Sequence, residues 1–187
     1  MAGHPTIGTT YALARAGVVA PPVDSLTLGL GVGPTPVSLE WTGEELSFVW
    51  MTQLPPTFGE RAADRAAAAA ALRLPAATVT DTGVPVQVVS CGVPFLFVPL
   101  ATRRAVDSAV LDAGAYESLR RTAATDDIPI FLFSPEPGAD NGTVYSRMFA
   151  PGAGIQEDPA TGGACGPLGC YLLHNKVVTA QGAGTML

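Results

Sequence analysis

The sequence predicts an α+β fold, and three observations carry that prediction. Strand-like stretches come in runs instead of alternating one for one with helices. One helix built from small residues stands near each end of the chain. Each is preceded by a short polar turn, "AGHPTIG" in the first half and "EDPATGGACG" in the second. Alternating βαβ units would give a doubly wound parallel sheet, and this order does not fit one.

The first helix follows Pro5, a residue tolerated in a first turn. "TIGTTYALARAG" then places apolar residues at helical spacing and ends at Gly17. "SLTLGLGV", "PVSLEW" and "ELSFVWMTQ" alternate apolar and polar residues with turn residues between them, the pattern of an antiparallel meander. In "LSFVWM" the alternation blurs, which predicts a strand covered on both faces. "GERAADRAAAAAALRL" predicts a helix by alanine propensity, closed by Pro75. "PAATVTDTGVP" reads as a linker, so the expected domains are residues 1–75 and 76–187.

The second half repeats the style of the first. "VQVVSCG" and "FLFVPL" are expected strands, "DAGAYESLRRTAA" a helix, "IPIFLFSP" and "TVYSRMFAP" strands, and the apolar segment after "EDPATGGACG" the last helix. Gly8, Ala12, Ala14 and Ala16 on the first small-residue helix, and Gly163, Ala164, Gly166 and Gly169 on the second, give both a slim profile. Small side chains let a sheet approach such a helix closely.

Composition narrows the function. Hydrophobic residues make up 48% of the 187 and charged residues 14%, which excludes a disordered chain. A net charge of -6 with no basic run excludes nucleic acid and an anionic membrane surface as partners. Apolar runs are broken before they reach the length of a membrane span, and the N-terminus lacks the pattern of a secretory signal. Three cysteines without metal-type pairing, and only two histidines, leave little from which to build a metal site. The expectation is a reduced, cytoplasmic protein without a metal.

The candidate chemistry lies at the two helix starts. Unpaired N–H groups and a partial positive charge at a helix N-terminus favour anions by about 0.3–1 kcal/mol per surface interaction. Two such mouths suit a carboxylate-bearing small molecule. His4 at one and Asp158 at the other are the side chains able to move protons there. On residue type alone the plainer readings stand beside this one. His4 is also readable as a terminal side chain, Asp158 or Thr161 as a helix cap, and Glu157 as a solvated neighbour. Cys91, Cys165 and Cys170 read as small packing residues.

"AGHPTIGTTYAL" and "RMFAPGAGIQEDPATGGACGPLGCYL" resemble the two signature segments of the PhzF-like phenazine-biosynthesis isomerase/epimerase family. "VVSCGVPFLFVPL" is similar to the strand pair that opens that family's second domain. The resemblance implies a diaminopimelate epimerase-like fold: two similar domains, each a β-sheet curled around a central helix, with the active site between them. It implies cofactor-free proton transfer on a small carboxylate substrate, and pairing of two copies as a homodimer. Carried over by position, His4 positions substrate and assists proton transfer, and Asp158 binds the substrate's polar groups. Gly3, Thr161, Gly162, Gly163 and Ala164 supply backbone N–H donors.

The chain departs from the family pattern in three ways. The family's acid/base glutamate lies upstream of the "GHPT" segment, and Glu40, Glu44 and Glu45 are not at its position. Gly163 stands where the family often has serine. Family members also continue with further strands beyond "VVTAQGAGTML". The expectation is a fragment cut at both ends, with a catalytically inactive binding or scaffold relative as the alternative. Racemases of this fold place a cysteine at each helix mouth, where this chain has Ala2 and "EDPATG", so a two-thiol mechanism is disfavoured. Incomplete sheets would expose apolar surface and strand edges. This chain alone is therefore expected to be poorly stable and to show little isomerase activity; a cooperative thermal transition of a 187-residue monomer would count against that.

Overall fold

The computed structural model describes residues 3–62, 64–122 and 128–179. The elements run α1 (Gly3–Arg15), β1 (Ser25–Leu30), β2 (Gly33–Thr42), β3 (Glu45–Met51), β4 (Thr57–Arg61), α2 (Arg65–Ala71), α3 (Ala77–Thr80), β5 (Gln87–Ser90), β6 (Pro94–Pro99), α4 (Arg103–Ser108), α5 (Ala113–Thr122), β7 (Ile130–Ser134), β8 (Tyr145–Phe149) and α6 (Cys165–His174). The fold is α+β, as the sequence predicts. It divides into two compact units: residues 1–55 with 91–93, and residues 56–90 with 94–187. The boundary by packing thus follows Pro55, and residues 56–75 belong with the second unit.

In the first unit β1, β2 and β3 form the antiparallel meander read from the sequence, in that order. Alternation along β2 buries Thr35, Val37 and Leu39, and Ile7, Tyr11 and Ala14 of α1 pack against the same face. Gly17, at φ 69°, ends the helix in the left-handed conformation that glycine adopts without steric cost. The double-sided cover expected for β3 is not found. Leu46 and Val49 are buried, whereas Phe48 and Trp50 are 47% and 57% exposed. A bulge explains the blurred pattern: Glu40 pairs with Phe48 and Trp41 with Leu46, so Ser47 is an extra residue. The extra residue shifts the alternation, and two apolar residues three apart reach one face.

The second unit holds a five-stranded sheet in the order β4-β5-β6-β7-β8, parallel only between β6 and β7. Both faces are covered. Leu96, Val98, Ile130 and Leu132 face a core shared with Ala69 and Leu72 around α2, Val79 of α3, Val106 of α4 and Leu119 of α5. On the other face, the Tyr171 ring of α6 lies 5.4 Å from Phe97 and 5.6 Å from Phe133. Burial on two faces is why "IFLFS" is a continuous buried run.

Two expectations fail here. "GERAADRAAAAAALRL" is not one helix, because Gly59, Glu60 and Arg61 lie in β4, which pairs with β5. The helix begins only after Asp64, whose carboxylate accepts the Ala67 N–H at 2.9 Å. "PAATVTDTGVP" is not a plain linker either: it carries α3, whose Val79 is fully buried. Short stretches with one or two anchoring apolar residues give too weak a periodicity to register as elements. The last two residues of "DAGAYESLRRTAA" lie outside the described residues. Truncating Phe133, which is fully buried, to alanine is expected to destabilise the second unit by about 3–5 kcal/mol; urea unfolding followed by tryptophan-independent far-UV circular dichroism measures it.

Candidate functional site

The segment bearing Asp158 doubles back along β8. After Phe149 the chain makes a tight turn closed by two hydrogen bonds between Ala150 and Ile155, with Gly154 at φ 72° supplying the left-handed residue. The returning chain then donates the Asp158 N–H to the Met148 carbonyl at 3.1 Å. The neighbouring side chains close a second contact. Arg147 Nε and Nη2 bind the two Glu157 carboxylate oxygens at 2.7 and 2.8 Å.

Asp158 is half-buried, and its carboxylate turns toward the start of the last helix. One oxygen accepts the Thr161 hydroxyl at 2.8 Å and the other the Ala160 N–H at 3.4 Å. It therefore organises the turn that precedes α6 without capping the helix, whose start has no side-chain cap; Thr161 caps nothing either. The Gly162 N–H is bonded to Ala160 O and the Ala164 N–H to Thr161 O, so those two expected donors are engaged within the turn. A Cβ at Gly163 would meet nothing within 4 Å, so the serine of related chains fits this backbone.

Glu157 reaches solvent, as the sequence reading has it, and is also ion-paired. Arg147 holds its carboxyl below the usual glutamate range, and Glu157 in turn raises the guanidinium. Arg147 Nη1 also donates to the carbonyls of Val106, Asp107 and Ala109 at 2.8–3.1 Å, which satisfies the exposed end of α4. Beside it, the Tyr145 hydroxyl donates to Asp107 at 2.7 Å, and that bond raises the phenol. Asp107, Tyr145, Ser146, Arg147, Glu157 and Asp158 line, with Pro159, a cleft of about 330 Å³. Sequence reading missed Arg147 and Tyr145. The available signal was a lone arginine inside the apolar strand "TVYSRMFAP", ten residues before an acidic pair.

His4 and Gly3 lie in the first turn of α1, in the first unit, with the imidazole exposed. Ala2 lies outside the described residues. Cys91 is buried, and partial burial pushes the Cys165 thiol up although the residue reaches solvent. The raised Cys165 thiol is the opposite of an activated thiolate. Among the described residues no group of His, Cys, Asp and Glu is arranged to hold a metal ion, and no helix is long and apolar enough to cross a membrane.

Two sheets and several helices, with an acidic "EDPATG" turn at a polar cleft, place the chain among proteins of the diaminopimelate epimerase-like fold. Residues 1–186 match the family described as Phenazine biosynthesis-like protein, and the chain belongs to that family. It is 34% identical over 128 residues to the uncharacterized isomerase YddE of Escherichia coli K12, covering 68% of this chain and 40% of the relative. It is 31% identical over 177 residues to the trans-2,3-dihydro-3-hydroxyanthranilate isomerase of Pseudomonas aeruginosa, covering 95% of this chain and 56% of that enzyme. Among solved structures, the Bacillus anthracis phenazine biosynthesis protein of the PhzF family superposes with a TM-score of 0.78 at 26% identity, over 92% of this chain and 56% of that one. The chain thus spans about half the length of these relatives.

Acid titration separates the ion pairs of the second unit. Arg103 binds Asp140 through two bonds of 2.6 and 2.7 Å, and together with the Gly142 N–H holds that carboxyl at about 2. A lowered carboxyl pKa means that the pairing is fully present above the ordinary value of 3.8 and is lost as pH falls through the lowered one. The Asp140 carboxyl-carbon signal is expected to titrate with a midpoint at about 2, leaving the pair intact at pH 3; a midpoint at 3.8 would refute it.

Proposed function

We propose that this chain is the substrate-binding part of a PhzF-like isomerase or epimerase that moves a proton on a small carboxylate substrate by general acid/base chemistry, without a cofactor. Asp158 binds the substrate's polar groups. His4 positions the substrate and assists the proton transfer. Gly3 and the Thr161, Gly162, Gly163 and Ala164 segment line the two helix starts and present backbone to the substrate carboxylate.

The observation that supports this most is the state of Asp158. An ionised carboxylate has about four lone-pair sites, and the turn uses two of them. The remaining acceptors sit on a side chain whose backbone is fixed to β8, at the edge of a polar cleft. They suit the hydroxyl or ammonium groups of a small polar substrate. The named substrate of the Pseudomonas aeruginosa relative is an amino acid of this type, carrying a hydroxyl, an amine and a carboxylate.

The test is binding of 3-hydroxyanthranilate to the isotope-labelled chain, followed by amide chemical shifts. Shifts are expected in residues 3–8 and 158–164. Asp158→Asn is expected to weaken binding by about 10-fold or more, the loss of a hydrogen bond to a charged group. Absence of shifts in both segments, or unchanged affinity in Asp158→Asn, would overturn the reading. Deuterium uptake from solvent into trans-2,3-dihydro-3-hydroxyanthranilate separates an active chain from one that only binds.

A further inference from the structure

We propose that Arg147 is the positioning residue of the site: through Glu157 it fixes the segment that aims the Asp158 carboxylate. This rests on the reading of Asp158 as the substrate-binding group. Two adjacent residues of β8 grip two adjacent residues of the returning chain, Arg147 by side chain to Glu157 and Met148 by its carbonyl to the Asp158 N–H. The Ala150–Ile155 bonds close the turn further back, and the Asp158 N–H bond is the backbone contact at the acidic pair itself. The bidentate ion pair adds a second point there and sets the segment's orientation.

The opposite edge of the guanidinium is anchored. Its Nη1 binds three carbonyls at the end of α4, so the group that holds Glu157 is itself tied to a different element. The plane of the guanidinium also lies over the Phe149 ring, 5.0 Å from its centroid. A lysine ammonium has one nitrogen and cannot bridge two carboxylate oxygens and three carbonyls together. The requirement is for the forked shape as well as the charge. The side chain of Arg147 is 23% exposed and that of Glu157 40%, so the pair stands at the cleft wall with its geometry held by contacts on both sides.

Three variants test the assignment. Arg147→Lys keeps the charge and loses the fork. Glu157→Gln breaks the ion pair and leaves the contacts of Arg147 to α4 in place, so it decides the matter even if Arg147→Lys does not fold. Arg103→Lys is the control, since it disrupts another bidentate pair of the same unit, with Asp140. In Glu157→Gln and Arg147→Lys the Asp158 carboxyl-carbon signal and the amide signals of Asp158 and Thr161 are expected to move, and affinity for 3-hydroxyanthranilate to fall at least 5-fold. In Arg103→Lys those signals are expected to stay. Unmoved Asp158 signals in Glu157→Gln would overturn the proposal, as would equal movement in the Arg103→Lys control. If the unmodified chain binds no 3-hydroxyanthranilate, the functional reading fails, while the Asp158 signals still decide the positioning role.

Discussion

The guanidinium of Arg147 joins three parts of the second unit. It sits on β8, satisfies the carbonyl end of α4 and holds Glu157 on the chain that returns from the sheet edge. Its desolvation at the cleft wall is offset by five hydrogen bonds, two of them to an ionised carboxylate. The turn of residues 150–155 sets the return path, and the Asp158 carboxylate then orders Ala160 and Thr161 at the approach to α6.

The sheet beneath this corner is rigid for a different reason. β6 and β7 are buried on both faces, with aliphatic side chains turned to α2 and α5 and aromatic ones to Tyr171. The Tyr171 hydroxyl, otherwise an unsatisfied buried donor, finds the Pro85 carbonyl, and burial raises its pKa well above the ordinary phenol value. A close-packed platform of this kind transmits position: β8 is fixed by β7, and the segment bearing Asp158 is fixed by β8. A polar site at a sheet edge can thus be precise without being deeply buried.

How far the sequence was legible depended on the range of the forces involved. Alternation in "PVSLEW" and "IPIFLFSP", and glycine after "YALARA", report directly on local backbone preference and on burial, and those elements appear where the pattern puts them. The blurred strand "LSFVWM" gave the wrong cover because a bulge at Ser47 and a two-sided core leave similar patterns. The strand Thr57–Arg61 was lost in an alanine-rich context, because its identity comes from pairing with Gln87–Ser90 some thirty residues on. Glu157 gave no sign of its partner, since an ion pair between a strand and a returning loop has no periodicity to read.

By itself, the sequence determined the α+β class, the antiparallel meander, the two small-residue helices and the family to which their preceding turns point. These rest on local propensity and on residue types at fixed spacing, which are properties of the chain. The tertiary structure alone decided what "EDPATGG" does. Asp158 is the organiser of a turn and not a helix cap, and Glu157, though exposed, is one half of an ion pair. Both outcomes depend on which distant groups come within hydrogen-bonding distance, and only the folded chain brings Arg147 to Glu157.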